Sequence, residues 1–142
     1  MSELVTNDKG SRGASPSVLV VDDDEFAHDV LREMLGLLGV STVHTADDGR
    51  KALKLLAGLQ PPPNFLICDV FMPDMDGIEF LEQLAGQAYP GGIVILSGVD
   101  AQMLSLSRDL AATNGLNILG AFIKPVGLQQ LSKALELPLL ER

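Results

Sequence analysis

The chain has 142 residues, of which 46% are hydrophobic and 20% charged, and its formal net charge is −9. This length and composition indicate one globular domain with a substantial core, and they exclude a disordered chain. The negative charge argues against a binding surface for nucleic acid or for anionic lipid, because both select basic patches.

The ends of the chain and its single cysteine set the expected domain limits. Residues 1–16 are polar and rich in glycine and serine, which predicts a flexible tail, and they lack the apolar segment of a signal peptide. No apolar run approaches the ~20 residues of a membrane span. Cys68 lies inside an apolar run and is expected to be a core residue. We therefore expect a cytoplasmic protein with one domain at 17–137 and an extension or linker start at 138–142.

The first half of this domain alternates short apolar runs with amphipathic segments. The run Val18–Val21 is continuously apolar, which is typical of a buried central strand. Helical spacing follows it as far as Leu38, where Gly39 favours a helix end. A more polar strand, Ser41–Ala46, is predicted at the sheet edge, and a second helix is predicted to end near Gly58.

The second half continues the same alternation. The predicted elements are the strand Phe65–Cys68, the helix Ile78–Ala85, the strand Ile93–Leu96, the helix Ala101–Thr113, the strand Leu116–Ile123 and the helix Leu128–Leu135. Five strand–helix units in succession predict an α/β protein built on a parallel sheet.

Polar side chains collect where the buried strands end. They are Asp22, Asp23, Asp69, Ser97 and Lys124. Ligands of parallel α/β sheets bind at the carboxyl ends of the strands, so these side chains are expected to lie together. Two carboxylates about 4 Å apart repel by about 4 kcal/mol at an effective dielectric constant of about 20, so the cluster calls for a cation. Oxygen ligands without a histidine or cysteine partner favour Mg²⁺ over Zn²⁺.

With Mg²⁺ in place, Asp69 is a candidate nucleophile, because carboxylates form aspartyl-phosphate intermediates. A transferred phosphoryl group carries charge on three equatorial oxygens. Mg²⁺, the Ser97 hydroxyl or a backbone N–H, and the Lys124 ammonium could each meet one of them. No carboxylate is placed as an obvious general base, which suits a reaction that depends on positioning and electrostatics.

Four motifs make the chain resemble the receiver domains of two-component response regulators. They are VVDDDE (Val20–Glu25), CDVFMPDMDG (Cys68–Gly77), VILSG (Val94–Gly98) and FIKPV (Phe122–Val126). Each motif lies at a strand end, and the resemblance covers about Val18 to Leu135. It implies a flavodoxin-like (βα)5 fold: a doubly wound five-stranded parallel sheet of order 2-1-3-4-5 with helices on both faces.

The resemblance also implies roles for the acidic residues. Asp69 matches the phosphorylated aspartate, Asp23 the acid that binds Mg²⁺ directly, and Asp22 its neighbour that acts through water. Phe71 matches the position whose backbone carbonyl binds the metal. Gly98 replaces the alanine of many receivers and is expected to leave the phosphoryl site roomier.

On the other side of the expected site, Ser97 matches the hydroxyl residue that follows the phosphoryl group and drives the switch. Lys124 matches the phosphate-contacting lysine, and the corresponding bond to Pro125 is usually cis in the family. Many receivers carry a tyrosine or phenylalanine three residues before this lysine. Here Ala121 takes that place and Phe122 follows it, on the opposite face of the strand. We therefore expect Phe122 in the core, and activation through the fourth helix and its preceding loop.

The remaining titratable residues have simpler interpretations. His28 and His44 are expected at the surface without a metal role, since no second ligand has usable spacing. Four further aspartates are expected to form turns or cap helices, namely Asp48, Asp74, Asp76 and Asp100.

The resemblance further implies two kinds of partner. A sensor histidine kinase or phosphotransfer protein would dock near Phe26, Ala27 and Val30, beside the acids. Phosphorylation would then switch the face formed by the fourth helix, fifth strand and fifth helix toward an output domain or protein partner. The sequence leaves open whether that partner is linked, separate or a second copy of the chain. The segment NGLNILGAFIKPVGLQQL (Asn114–Leu131) resembles receivers joined to cyclic-di-GMP phosphodiesterase domains.

Two other functions remain open at this point. The fold could serve as a phosphorylation-independent interaction module, which Mg²⁺ binding and acyl-phosphate formation at Asp69 would distinguish. A phosphatase is disfavoured because Phe71, two places after Asp69, is not the second acid of an Asp-x-Asp pair. A receiver would phosphorylate and slowly dephosphorylate itself, and we expect no enzyme that turns over an external substrate.

Overall fold

The computed structural model describes residues 15–70, 77–98 and 101–139. Within these ranges five strands alternate with five helices. They are β1 (Ser17–Val21), α1 (Glu25–Leu37), β2 (Thr42–Ala46), α2 (Gly49–Gly58), β3 (Phe65–Asp69), α3 (Gly77–Gly86), β4 (Gly92–Ser97), α4 (Ala101–Thr113), β5 (Asn117–Ile123) and α5 (Leu128–Leu135). Every predicted element is present. No helix in the described ranges is both long and apolar enough to cross a bilayer.

The five strands form one parallel sheet in the order β2-β1-β3-β4-β5. The predicted topology and the edge position of β2 are confirmed. The strands β1, β3 and β4 lie inside the sheet with nearly every residue buried, because their sequences are apolar on both faces.

Two core layers lie on opposite faces of the sheet. On one face Leu19 and Leu66 pack with residues of α2, α3 and α4. On the other face Val20 and Ile67 pack with α1 and α5. Cys68 is fully buried in the first layer, as predicted. Helices on both sides therefore hold the carboxyl ends of the central strands in fixed positions.

Aspartates start the two helices that follow β1 and β2. The carboxylate of Asp24 accepts from the amide of Phe26 at 3.0 Å, and that of Asp48 accepts from the amide of Lys51 at 2.8 Å. Both are N-cap contacts. The capping role of Asp48 is thus confirmed, whereas Asp74, Asp76 and Asp100 lie outside the described residues.

The start of α3 sits directly against the end of β3. The amide of Gly77 donates to the Val70 carbonyl at 2.9 Å. A Cβ added at Gly77 would lie 2.3 Å from the Val70 Cα, so only glycine permits this approach. This contact holds the start of α3 against the residue that follows Asp69.

Strand β5 contains a bulge that the sequence analysis did not predict. Ile93 pairs with Ile118 and Val94 with Gly120, which leaves Leu119 as an extra residue. Past the bulge, Ala121 packs against the α2–α4 layer and Phe122 against the α1/α5 layer. Phe122 thus lies on the face opposite to residue 121, as expected, but it is half-buried and packs at the margin of the core.

Candidate functional site

Three carboxylates meet at the carboxyl end of the sheet. Asp22 follows β1 and is 1% exposed, and Asp69 ends β3 and is 5% exposed, whereas Asp23 is exposed to solvent. Each offers an oxygen within 4.8 Å of the others. The acids that the sequence analysis singled out are therefore brought together, and two of the three are shielded from water.

Lys124 bridges two of these acids. Its Nζ lies 2.7 Å from Asp22 Oδ2 and 3.0 Å from Asp69 Oδ2. Burial alone would lower the pKa of Lys124, but hydrogen bonds and charge from the two carboxylates outweigh burial and raise the pKa. The side chain of Lys124 is therefore protonated and positively charged at neutral pH. The Lys124–Pro125 bond is cis, as expected.

Ser97 completes the set of residues at this end of the sheet. It is the last residue of β4, is fully buried, and accepts from the Lys124 amide through its backbone oxygen at 2.8 Å. Leu96, the residue before Ser97, pairs with Asp69. Ser97 and Asp69 therefore lie at the ends of adjacent strands. Phe71, the predicted carbonyl ligand, lies outside the described residues.

The turn after β1 is held by several contacts to Asp22. Its amide donates to the Ala46 carbonyl at 3.1 Å, and its Oδ1 accepts from the Asp24 amide at 2.9 Å. Its carbonyl lies 2.7 Å from Nε2 of His28. Asp22 is therefore fixed through both its backbone and its carboxylate.

The expected surface position of His28 was wrong. The side chain is 7% exposed and shares the buried face of α1 with Leu31 and Leu35, three and seven residues further on. The spacing to Leu31 and Leu35 is the signal in the sequence that indicates the buried face of α1. His44 is half-buried in the edge strand, less exposed than expected.

The donor set fits a hard divalent cation. Three carboxylates and one ammonium carry a formal charge of −2, and the clustered ligand atoms are all oxygens. Burial, followed by the charges of Asp69 and Asp22, raises the pKa of the neighbouring Cys68 thiol, so it stays protonated and is a poor ligand. The acidic cluster could therefore hold Mg²⁺.

An apolar cavity of about 180 Å³ opens beside the acids, between α1 and the residues that follow β5. Phe26, 73% exposed, and Val30, 37% exposed, form its outer wall, while Ala27 and Met34 are partly buried within it. Phe26 and Val30 therefore lie off the buried stripe of α1, on a cavity that Asp22 and Lys124 also line.

The surface around this cavity is acidic. The buried Asp22 and the exposed Asp24 line it together with Lys124, and the other exposed acids of this part of the chain are Asp23 in the preceding turn and Glu25, Asp29 and Glu33 on α1. The basic residue of α1, Arg32, reaches instead toward β2, where its Nη1 donates to the Val43 carbonyl at 3.3 Å. A partner that covers this cavity would therefore meet a negative rim.

Comparison with known proteins gives a consistent match. The family model described as the response regulator receiver domain matches residues 18–136. The Regulator of RpoS of Escherichia coli is 30% identical over 109 residues, which are 77% of this chain and 30% of that protein. The probable C4-dicarboxylate response regulator DctR of Bacillus subtilis is 29% identical over 84% of this chain and 50% of that protein. The chain thus spans at most half the length of these relatives.

Solved structures agree with the fold. A response regulator from Colwellia psychrerythraea is 31% identical, with a TM-score of 0.71 over 87% of this chain and 95% of that one. The chemotaxis protein CheY4 of Vibrio cholerae is 27% identical, also with a TM-score of 0.71, over 87% of this chain and 98% of that one.

Proposed function

The chain belongs to the response regulator receiver domains of two-component systems, and from this premise we propose that Asp69 accepts a phosphoryl group in a Mg²⁺-dependent reaction. The observation that carries the proposal is the bridge from Lys124 to Asp22 and Asp69, beside a third carboxylate. Such a site has a nucleophile, a fixed cation for a phosphoryl oxygen, and ligands for a metal.

The proposed reaction is the transfer of a phosphoryl group from a phosphohistidine to Asp69. A carboxylate oxygen of Asp69 attacks the phosphorus of a phosphohistidine on a sensor kinase or phosphotransfer protein. The new P–O bond forms as the P–N bond breaks, and the electron pair leaves with the histidine nitrogen. Lys124, already 3.0 Å from Asp69, is placed to bind one of the phosphoryl oxygens. The same site would later admit water, so the chain would dephosphorylate slowly without an external substrate.

The metal site is proposed as follows. Asp23 and Asp69 would hold Mg²⁺ directly, and the sequence match proposes the backbone carbonyl of Phe71, outside the described residues, as a third ligand. Asp22 acts through water, which is supported by the contacts that its two carboxylate oxygens already make to Lys124 and the Asp24 amide. When bound, Mg²⁺ would offset the charge of the cluster and polarise a phosphoryl oxygen.

Donor docking is proposed at the cavity beside α1. Phe26 and Val30 are exposed and Ala27 is partly buried, and all three line the cavity together with Lys124, which contacts Asp69. The negative rim around them favours a donor with basic residues around its histidine, because opposite charges speed the encounter of two proteins. A sensor kinase or phosphotransfer protein of this kind is the proposed partner.

Output is proposed through the α4–β5–α5 face. Leu106, Leu110 and Ile123 are exposed apolar residues on α4 and β5. Because Ala121 cannot act as an aromatic switch, we propose that Ser97 and Lys124, joined by their backbone hydrogen bond, transmit the change through the loop before α4. The proposed output is an attached domain or a protein partner. Because residues 114–131 resemble receivers joined to cyclic-di-GMP phosphodiesterase domains, we propose such a phosphodiesterase as the output.

Intact mass after incubation with acetyl phosphate tests the chemistry. With Mg²⁺ the wild-type chain should gain one phosphoryl group, and with EDTA it should not. Asp69→Asn keeps the shape of the side chain but not the nucleophile, and it should gain nothing. Label on Asp69→Asn would show that the nucleophile is another residue. No gain from acetyl phosphate or a kinase, together with no Mg²⁺ binding, would favour the interaction module.

A further inference from the structure

A buried histidine contacts the acid site from the side of α1. His28 is 7% exposed, and its Nε2 lies 2.7 Å from the Asp22 carbonyl oxygen. Because a carbonyl oxygen only accepts, Nε2 must carry the proton and donate. This bond ties the start of α1 to the turn that carries Asp22 and Asp23.

Because a peptide group is planar, the hydrogen bond from His28 to the Asp22 carbonyl also constrains the backbone at Asp23. The Asp22 carbonyl and the Asp23 Cα belong to one planar unit. Rotation of this plane would move the carbonyl away from His28 and change the backbone torsions on both sides of it, ψ of Asp22 and φ of Asp23, which help to fix where the two side chains are held. The other contacts of Asp22, to Ala46, Asp24 and Lys124, hold its amide and carboxylate but not this carbonyl.

We propose that His28 is a positioning residue of the metal site. Its hydrogen bond holds the Asp22–Asp23 peptide so that the exposed Asp23 carboxylate stays near the buried carboxylates of Asp22 and Asp69. The identity of the metal as Mg²⁺ rests on the proposed function. The inference itself rests on the buried ring, the 2.7 Å contact and the 4.8 Å grouping of the acids.

Two substitutions separate the donor from the bulk of the side chain. His28→Gln places an amide Nε2 the same number of bonds from Cβ, whereas His28→Leu keeps apolar bulk and loses the donor. Leu35→Val is the matched control, because Leu35 is fully buried on the same face of α1 and away from the acids. Any general loosening of α1 should appear in this control as well.

The first readout is the Mg²⁺ dissociation constant of the unphosphorylated full chain, measured by titration calorimetry with Mg²⁺ alone. Partners that orient metal ligands are typically worth about 10- to 100-fold in affinity. We expect His28→Leu to bind about tenfold more weakly, and His28→Gln and Leu35→Val to stay within about twofold of wild type. Equal affinity in His28→Leu and wild type would overturn the proposal, as would equal weakening in His28→Gln and His28→Leu.

The second readout needs no metal. The Asp24 amide donates to Asp22 Oδ1, so its hydrogen exchange reports on the turn. Exchange at Asp24 should be faster in His28→Leu and unchanged in His28→Gln, while the Gly92 amide, bonded to Asn64, should not change in either. If the wild-type chain fails to bind Mg²⁺, the proposed function fails, but unchanged Asp24 exchange in His28→Leu would by itself overturn the role of His28.

Discussion

The ammonium group of Lys124 lies closer to Asp22, at 2.7 Å, than to Asp69, at 3.0 Å. The lysine is therefore shared between the two buried carboxylates before any phosphoryl group arrives. A phosphoryl group on Asp69 would compete with Asp22 for this one cation. Under the proposed function, the Lys124–Asp22 ion pair contributes to the free-energy difference between the unphosphorylated and the phosphorylated chain.

Replacing Lys124 with methionine should destabilise the chain and make it more dependent on Mg²⁺. Loss of one partner from a buried ion pair costs about 3–5 kcal/mol, and we expect about 2–3 kcal/mol because the lysine side chain is 26% exposed. The uncompensated acids should bind Mg²⁺ more tightly. Urea denaturation followed by circular dichroism, with and without Mg²⁺, should show a larger Mg²⁺ stabilisation in Lys124→Met than in wild type.

Lys133→Met is the control for that experiment, since Lys133 is an exposed lysine on α5. It should leave both the unfolding free energy and the Mg²⁺ effect near the wild-type values. If Lys124→Met and Lys133→Met behave alike, the bridge contributes nothing measurable to stability.

Tyr89 should make stability fall at alkaline pH. Burial raises its pKa, and its hydroxyl donates to the Pro63 carbonyl at 2.8 Å. A pKa that is higher in the folded chain means that stability is fully present below about pH 10, the usual tyrosine value, and falls as pH rises above it. The chain has one tyrosine and no tryptophan, so absorbance reports this ionisation directly. The folded chain should titrate at higher pH than the chain in urea.

Tyr89→Phe tests the same group by its removal. It should lower stability at neutral pH by about 1–3 kcal/mol, because the Pro63 carbonyl loses its buried donor. It should also flatten the loss of stability above about pH 10, relative to wild type. An unchanged alkaline slope would assign the pH dependence to other groups, such as Lys124, whose pKa is also raised.

Phe26→Ala should slow phosphoryl transfer from a protein donor while leaving transfer from acetyl phosphate unchanged. The ring is 73% exposed, so its removal should barely affect folding, and exposed aromatic anchors at interfaces are often worth more than about 1 kcal/mol. We expect at least an approximately fivefold loss in transfer from a phosphorylated phosphotransfer protein. Leu106→Ala, at an exposed position on α4, is the matched control and should transfer normally.

Salt dependence would check the charge of the same surface. If the donor is basic around its histidine, added salt should slow transfer from it, because screening weakens attraction to the acids near Phe26. Transfer that speeds up with salt would indicate an acidic donor and contradict the proposed complementarity.

Much of the fold could be predicted from the sequence because its signals are local. Continuous apolar runs such as Val18–Val21 mark buried strands, and glycine or aspartate marks where helices stop or start. The rule that parallel strands present their carboxyl ends together was enough to bring Asp22, Asp69 and Lys124 to one place. The parallel arrangement of the strands was sufficient for that prediction.

The details that were missed depend on tertiary contacts. Helical spacing places His28 on the face of α1 that carries Leu31 and Leu35, but it does not reveal that the ring contacts the Asp22 carbonyl on the preceding turn. Lys124 contacts Asp22 and Asp69, which are 102 and 55 positions away in the chain, so no local pattern reveals that it bridges them. The bulge in β5 falls within Ile118–Phe122, where every residue but Gly120 is apolar, so no alternation marks the extra residue.

The bulge at Leu119 also bears on how such a domain can diverge over evolution. From Gly120 onward, β5 is paired with β4 through Ile123, which fixes Lys124 at the acids. If one residue were inserted or deleted before Gly120, the side chains of Asn117 and Ile118 would each move to the opposite face of the sheet. Lys124 would stay in place. Descendants of the chain could therefore acquire new partners by insertion or deletion, and keep an inherited chemistry intact.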